Sequence, residues 1–208
     1  MESQNKVQWV YSSIDNNQLA ERYDQWASDY ESDLEIGYEW HGPQKTVDTL
    51  TAYINKQAKI LDAGAGTGLV GVLLYRLGFT NLIAMDLSRG MLEEARAKNV
   101  YSEFHQMVMG ETLDFTSSSF DVVVSVGVLT VGHAPADSLD ELVRITKSGG
   151  HIAFSLRPDV YENSGFKQKQ DALVTNGKWE LIECSEEFHA LPKGEPDVLH
   201  QVWIYKVL

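Results

Sequence analysis

The chain has 208 residues, of which 43% are hydrophobic, and its 30 acidic and 17 basic side chains give a formal net charge of −13. This length predicts one domain, 1–208, with a substantial buried core. Polyphosphates are bound by clustered Lys and Arg, and no such cluster occurs along the sequence, so nucleic acids and anionic membrane surfaces are excluded as expected partners.

Cysteine content and hydropathy indicate the compartment. Cys184 is the single cysteine, so no intrachain disulfide is possible and no zinc site can be built from cysteines; we predict no metal site. No stretch approaches the roughly 18 apolar residues that a membrane span needs. We therefore expect a reducing, cytoplasmic location.

The N-terminal part is predicted to be partly helical. Residues 1–16 are polar with scattered Val, Trp and Tyr, and no regular structure is predicted for them. A helix is predicted at 18–30, where apolar residues recur at three- and four-residue intervals. A second helix is predicted at 42–55, with Pro43 in the first turn, where a missing N–H costs nothing.

The stretch Lys59–Gly71, KILDAGAGTGLVG, is the most informative part of the sequence. It begins as a buried strand, continues into a loop that contains Gly64, Gly66 and Gly68, and leads into a predicted helix at 69–77. Glycines let the backbone turn sharply and approach a ligand closely, and the helix N-terminus supplies unpaired amides. The simpler alternative is a tight turn between strand and helix without a ligand.

Two acids favour the ligand. Asp62 precedes the first glycine, and a second predicted strand at 81–85 ends in Asp86. An acid at the tip of the second strand is where a doubly wound fold places the acceptor for ribose hydroxyls. Together the glycine loop and Asp86 predict a nucleoside-binding site.

The glycine spacing bears on which nucleoside is bound. A dinucleotide loop has the pattern G-x-G-x-x-G. Counted from Gly64, the third glycine position is Leu69; counted from Gly66 it is Gly71, which leaves Gly64 and Gly68 unexplained. The spacing therefore fits a nicotinamide dinucleotide poorly.

The rest of the chain alternates strands with helices, which predicts parallel βαβ units with right-handed crossovers. Ser88 is predicted as the N-cap of the next helix. The remaining predicted elements are a helix at 88–99, strands at 103–108 and 120–126, a helix at 138–147 ended by Gly149-Gly150, a strand at 151–156, a helix at 160–175, and antiparallel strands at 178–188 and 198–207.

Several motifs resemble a known family. D-A-G-A-G-T-G resembles the D-x-G-x-G-x-G motif of class I S-adenosylmethionine-dependent methyltransferases, and the segment Tyr23–Tyr30 resembles their upstream Y-D-x-W-A-x-x-Y stretch. M-D-L-S, F-D-V-V-V-S-V-G-V-L and K-S-G-G-H-I-A-F-S, with Ser148 in place of the usual proline, extend the likeness to Arg157. The chain most resembles the methyltransferase-like group of animals that includes the Williams–Beuren-region methyltransferase.

The resemblance implies an architecture. The fold class expected is α/β, with a Rossmann-like, doubly wound, mostly parallel seven-stranded sheet, helices on both faces and a C-terminal antiparallel strand pair. Within the single domain, 1–56 would be a helical lid segment, 57–157 the cofactor-binding core, and 158–208 the closing helix and strands.

The resemblance also implies S-adenosyl-L-methionine as the cofactor and S-adenosyl-L-homocysteine as its product. In that family the glycine loop wraps the methionine and ribose, the second-strand acid takes both ribose hydroxyls, and a loop acid meets the adenine amine. The usual G-D-A of that last loop is written Gly110-Glu111-Thr112 here, and a solvated Glu111 is the alternative. The cofactor-binding residues implied are Tyr23, Trp26, Tyr30, Asp62, Gly64, Ala65, Gly66, Gly68, Asp86, Leu87, Met91, Glu111, Thr112, Val126 and Gly127.

The acceptor is predicted to be a small molecule. The sequence has neither the N-P-P-Y or D-P-P-Y motif that grips a flipped base nor a Pro-Cys nucleophile. His133 and His41 are the candidate catalytic bases, and a base is optional because the cofactor carries the activated methyl group. Trp40, His41, His133 and Arg157 are the candidate substrate-binding residues, although His133 as an ordinary loop histidine and Arg157 as a surface ion-pair partner are alternatives.

The sequence thus predicts a methyltransferase that moves a methyl group to an N, O or S nucleophile of a small acceptor by in-line displacement. Two other readings stay open: a cofactor-binding regulatory or interaction module without turnover, and a nicotinamide-dependent oxidoreductase.

Overall fold

A computed structural model describes residues 6–208. Over this range helices and strands alternate from residue 60 to residue 156, except that the strands at 103–106 and 120–125 follow each other with no helix between them. The elements are α1 Lys6–Tyr11, α2 Asn16–Trp26, α3 Tyr30–Asp33, a π-helical turn Leu34–Tyr38, α4 Gly42–Leu50, β1 Ile60–Ala63, α5 Leu69–Arg76, β2 Leu82–Asp86, α6 Arg89–Ala97, β3 Glu103–Gln106, β4 Phe120–Ser125, α7 Ser138–Ile145, β5 Thr146–Leu156, α8 Pro158–Asn163, α9 Phe166–Thr175, β6 Trp179–Cys184, β7 Phe188–His189 and β8 Leu199–Val207.

One mixed sheet organises the protein. Its strand order is β3-β2-β1-β4-β5-β8-β6; the first five strands are parallel, and β8 runs antiparallel to both β5 and β6. The two-residue strand β7 pairs with β8 and makes an eighth strand beside the seven predicted. The strand order reverses between β1 and β4, which creates a crevice at their carboxyl ends, where doubly wound folds bind ligands.

The sheet is buried on both faces. Consecutive residues of β1 belong to two hydrophobic clusters, one on each face of the sheet. Ile60 belongs to the first cluster and Leu61 to the second. Leu74 of α5 packs in the first cluster and Leu142 of α7 in the second. A strand covered on both faces reads as a continuous apolar run, which is why β1, β2 and β4 were recognisable in the sequence.

The N-terminal segment corrects the prediction that 1–16 has no regular structure. Residues 6–11 form α1, which buries Val7 and Val10 in a cluster with Trp26 and Leu34; residues 1–5 lie outside the described part. A six-residue helix is too short to be stable alone, so tertiary packing rather than local propensity forms it. The helix predicted at 18–30 ends at Trp26.

The assignment of Gly149-Gly150 as the end of a helix was wrong, and one predicted helix is divided at a glycine. Helix α7 ends at Ile145 and β5 follows directly, so Gly149-Gly150 lies within a strand and does not cap the helix. A Cβ on Gly150 would lie 2.6 Å from the carbonyl oxygen of Asp121, so that glycine allows β4 and β5 to approach. Gly165, at φ +81°, splits the predicted C-terminal helix into α8 and α9.

Trp179 tests whether the C-terminal segment belongs to the same domain. Its buried ring stacks on Tyr205 at a centroid distance of 3.8 Å. Trp179→Ala is expected to lower the free energy of unfolding by about 3–5 kcal/mol, because it leaves a cavity in the core that β5 shares. Chemical denaturation should show one transition; two separate transitions would contradict a single domain.

The matched control is Leu181→Ala on the same strand. Leu181 is 47% exposed, so its truncation is expected to change the free energy of unfolding by less than about 0.5 kcal/mol.

Candidate functional site

A cavity of about 790 Å³ opens at the carboxyl ends of the parallel strands, between the sheet and helix α2. Its floor is the loop after β1, with Asp86 at the end of β2 and Val126-Gly127 at the end of β4. Leu19 and Tyr23 of α2 contribute the opposite wall. Ligands of open α/β sheets bind at this edge, outside the carboxyl ends of the strands.

The glycine loop is shaped by two steric constraints. Gly64 has φ +84°, and a Cβ there would lie 2.2 Å from the Cγ2 of Val128, so a larger residue does not fit. Gly66 has φ +53°, and no atom lies within 4 Å of the place of its missing Cβ. The loop therefore presents bare backbone to the cavity at Gly66.

Among the described residues, Asp86 is the one carboxylate in the cavity wall. The N–H of Gly66 donates to its Oδ2 over 2.8 Å, and the N–H of Ser88 donates to its Oδ1 over 2.9 Å. Burial raises the pKa of Asp86 to about 6, although both amide hydrogen bonds oppose that shift. Because a carboxylate has about four lone-pair positions, the two unused ones can accept from a pair of hydroxyls.

Asp62 does not reach the cavity wall. It is buried beneath the loop, where the hydroxyl of Tyr101 donates to its Oδ2 over 2.6 Å, and burial raises its pKa to about 7. The N–H of Gly71 donates to that hydroxyl over 3.0 Å, and a Cβ on Gly71 would lie 2.2 Å from it. Asp62 therefore supports the loop from below, and Gly71 makes room for Tyr101.

Helix α2 is fixed over the cavity by a residue that the sequence analysis missed. The Oδ1 of Asp24 accepts the Ser88 hydroxyl over 2.5 Å and the Gly90 N–H over 2.8 Å. These bonds join α2 to the first turn of α6. Asp24 is the acid of the stretch Tyr23–Tyr30, so the signal was present, but its partner is distant in sequence.

His133 lies at the mouth of the cavity and is held by the lid. Its Nε2 is 2.8 Å from the hydroxyl of Tyr23, and its buried Nδ1 makes no hydrogen bond to the described residues. Burial lowers the pKa of His133 to about 4 and raises that of Tyr23 well above its ordinary value. The pair is therefore neutral at physiological pH.

The structure brings most of the predicted residues together. Those in the cavity wall are Tyr23, Tyr30, Trp40, Gly64, Ala65, Gly66, Asp86, Leu87, Met91, Val126, Gly127 and His133. Gly68 lies behind the wall as the N-cap of α5, and Trp26 faces a second cavity.

Besides Asp62, Gly68 and Trp26, four further predicted residues lie outside the wall. Glu111 and Thr112 are exposed, because the wall after β3 is formed by 107–109. His41 points to the surface next to Glu39, since its neighbour Trp40 turns inward. Glu111, Thr112 and His41 therefore do not line the cavity.

Arg157 is the fourth residue outside the wall. Its guanidinium makes two hydrogen bonds to the carboxylate of Asp159, at 2.9 and 2.7 Å. The ion-pair alternative is therefore the one that the structure shows.

The charge of the cavity discriminates between nucleotides. Among the described residues of the wall none is Lys or Arg, so a diphosphate would find no cation there, whereas a sulfonium faces the carboxylate of Asp86. Residues 6–208 contain no cluster of three or more metal-ligating side chains, and no helix in that range is long and apolar enough to span a membrane. The residues present fit an adenosyl sulfonium.

Comparison with known proteins agrees with this geometry. Residues 61–154 match the family described as methyltransferase domain. Human methyltransferase-like protein 27 is 33% identical over 84% of this chain and 74% of its own length. The chain belongs to the class I S-adenosylmethionine-dependent methyltransferases, with S-adenosylmethionine as the cofactor.

Other relatives match a smaller share of this chain. The malonyl-[acyl-carrier protein] O-methyltransferase of a Marinomonas species is 33% identical over 66% of this chain, and the demethylmenaquinone methyltransferase of Clavibacter sepedonicus is 38% identical over 52%. The chain spans about half the length of these two proteins, 51% and 46%.

Solved structures share the fold at low identity. A possible histamine N-methyltransferase from Thermotoga maritima has a TM-score of 0.64 at 17% identity, covering 88% of this chain and 97% of that one. The [4+2]-cyclase SpnF has a TM-score of 0.70 at 14% identity, covering 92% and 96%. These two likenesses concern the fold alone.

Cofactor affinity is expected to fall when the pH drops below about 6, because a proton on Asp86 removes the acceptor for the ribose hydroxyls. If only the ionised form binds, binding lowers the pKa of Asp86 and releases a proton. The dissociation constant of S-adenosylhomocysteine then rises about tenfold per pH unit below that value and is constant above about pH 7. Calorimetric titration across this range measures the effect.

Two variants distinguish the effect of Asp86 on cofactor affinity from that of Asp62. Asp62→Asn should keep the pH dependence of cofactor affinity, because the Asp62 carboxylate does not line the cavity. We expect this even though the pKa of Asp62, about 7, lies near that of Asp86. Asp86→Asn should bind weakly at every pH, and NAD should not bind the wild type. A pH-independent wild type would show that the ribose site is misplaced.

Proposed function

We propose that the protein transfers a methyl group from S-adenosylmethionine to an N, O or S nucleophile of a small-molecule acceptor. The observation that carries the proposal is one lidded cavity with the Asp86 carboxylate and bare Gly66 on one side and the neutral Tyr23–His133 pair on the other. A second lidded cavity lies beside it, behind Tyr23 and Tyr30.

The side chains of the protein mainly position the reactants, and the cofactor supplies the reactive group. When bound, S-adenosylmethionine would supply a methyl group on a positively charged sulfur. The acceptor attacks the methyl carbon in line with the carbon–sulfur bond, and the sulfur leaves as the neutral thioether of S-adenosylhomocysteine. Asp86 and Gly66 orient the ribose, while Val126 and Met91 keep the wall apolar. Holding reacting atoms in a near-attack arrangement can supply about 7–11 kcal/mol of the barrier, so a catalytic base is optional.

The closed lid supports a small acceptor. Asp24 holds α2 on α6, and Lys98 forms a second connection, with its Nζ 2.7 Å from the Glu31 carboxylate. A polymer chain would have to displace these contacts to reach the cavity. The net charge of −13 also disfavours a nucleic acid, and the single cysteine is consistent with the cytoplasmic location that the proposal includes.

His133 is the group best placed to receive a proton from the acceptor. Its imidazole is neutral and hydrogen-bonded to the lid through Tyr23, and it lines the same cavity as Asp86. A pKa of about 4 makes it a weak base, so it would assist proton transfer and not fully deprotonate an acceptor in advance.

The alternative is a cofactor-binding module without methyl transfer. The cyclase SpnF, whose fold the chain shares, is named for another reaction, so the fold does not decide the chemistry. The two readings make the same prediction for cofactor binding and opposite predictions for turnover.

Turnover is tested with S-adenosylmethionine that carries a labelled methyl group. A cell extract is separated by ultrafiltration into small molecules and macromolecules, and each fraction is incubated with the protein. Label is expected to move to an acceptor in the small-molecule fraction, and Asp86→Ala should abolish the transfer while its circular dichroism is unchanged. Label in macromolecules alone would contradict a small acceptor, and no transfer despite cofactor binding would favour the module.

Removal of the imidazole is tested by His133→Phe, which keeps a ring against Tyr11. We expect kcat with the active fraction to fall by about 100-fold, because the proton acceptor is lost, with the dissociation constant of S-adenosylhomocysteine within about twofold. His189→Phe is the control, since His189 lies at the surface. An unchanged kcat would remove His133 from the mechanism.

A further inference from the structure

A second cavity, of about 440 Å³, lies directly beside the cofactor cavity. The two share four wall residues, Tyr23, Tyr30, Trp40 and Gly127. Gly127 has φ +74°, and a Cβ there would lie 3.1 Å from the Trp40 ring. Gly127 therefore contributes only backbone to the shared wall. A ligand in the second cavity would therefore lie next to a ligand in the first.

The rest of the second cavity comes from parts of the chain that have no other assigned role. Helix α1 contributes Val7, Val10 and Tyr11, and the loop after β7 contributes Leu191. His200 of β8 closes it from the sheet side, one residue before the Gln201–Leu156 pair at the carboxyl end of β5. The second cavity thus shares the functional edge of the sheet.

Within residues 6–208, no side chain that lines the second cavity carries a charge at neutral pH. Burial lowers the pKa of His200 to about 4, an effect that nearby Arg157 reinforces, and burial raises the pKa of Tyr11. Arg157 itself is occupied by Asp159. A charged group placed here would lose its water without gaining a counter-charge from the wall.

One buried polar atom of a residue in this uncharged wall lacks a partner among the described residues. The Nδ1 of His200 is buried and makes no hydrogen bond to them. A buried polar atom without a partner destabilises the protein, and an occupant that supplies the partner removes that cost. The ring of His200 lies near that of Phe188, with a centroid distance of 6.3 Å.

We propose that the second cavity is the acceptor subsite and that it takes an uncharged, ring-bearing compound whose hydroxyl or carbonyl substituent hydrogen-bonds the Nδ1 of His200. Aromatic rings fit because Tyr11, Trp26, Tyr30 and Trp40 offer both faces and edges for stacking. The reacting substituent points across the shared wall at Gly127 toward the cofactor cavity. This inference rests on the proposed function.

The experiment uses three naphthalenes whose substituents are neutral, anionic and cationic. The protein is saturated with S-adenosylhomocysteine and titrated by calorimetry with 2-naphthol, with 2-naphthoate and with 2-naphthylmethylammonium at neutral pH. The neutral probe is expected to bind more than about tenfold tighter than either ion. Equal binding of an ionic probe would overturn the proposal.

Variants locate the probe. Leu191→Trp on the loop and Val10→Trp on α1 each fill the second cavity and should abolish naphthol binding, with S-adenosylhomocysteine affinity within about twofold. His200→Phe should weaken naphthol by about fivefold to tenfold, because it keeps the ring and removes the hydrogen bond. The control Val174→Trp, at an exposed position of α9, should behave as the wild type.

The outcomes separate this inference from the proposed function. If the wild type binds S-adenosylhomocysteine but not naphthol, or if naphthol binding survives in both filled variants, the subsite is wrong and the methyltransferase proposal stands. If the wild type does not bind S-adenosylhomocysteine, the proposed function fails, and the subsite with it.

Discussion

The hydrogen bond from the Gly66 amide to the Asp86 carboxylate is the interaction on which the site depends. It joins the tips of β1 and β2 at the crevice where the strand order reverses. Burying a carboxylate is costly unless its lone pairs are used, so the Ser88 amide shares the task. The result is an acceptor held in a fixed position by the protein's own amides.

The lid depends on the same corner of the molecule. Ser88, whose amide serves Asp86, also donates its hydroxyl to Asp24 and caps α6 through the Met91 amide. Ser88 therefore connects Asp86 with helix α6 and helix α2. This coupling explains how the aromatic side chains of the lid, Tyr23 above all, are positioned over a cavity that the parallel strands alone would leave open.

Neutrality is the second physical feature of the site. His133 and His200 are both buried enough to stay uncharged, and each has an Nδ1 without a hydrogen-bond partner among the described residues. In the described part of the chain, Asp86 is the one charged side chain that lines the cofactor cavity. A cationic sulfur thus finds its counter-charge on one side, and an acceptor on the other side finds aromatic rings and neutral imidazoles, an asymmetry that matches the two partners of methyl transfer.

Sequence alone determined the class I methyltransferase fold, the glycine loop and Asp86, because buried parallel strands and close backbone approach leave strong local patterns. It did not determine which side chains face the ligand. Asp62 turned out to be tied to Tyr101, Arg157 to Asp159, and α1 proved to be a wall of the second cavity instead of irregular chain. Those outcomes depend on contacts between residues far apart in sequence or on which way a side chain turns, and only the packed tertiary structure decides either.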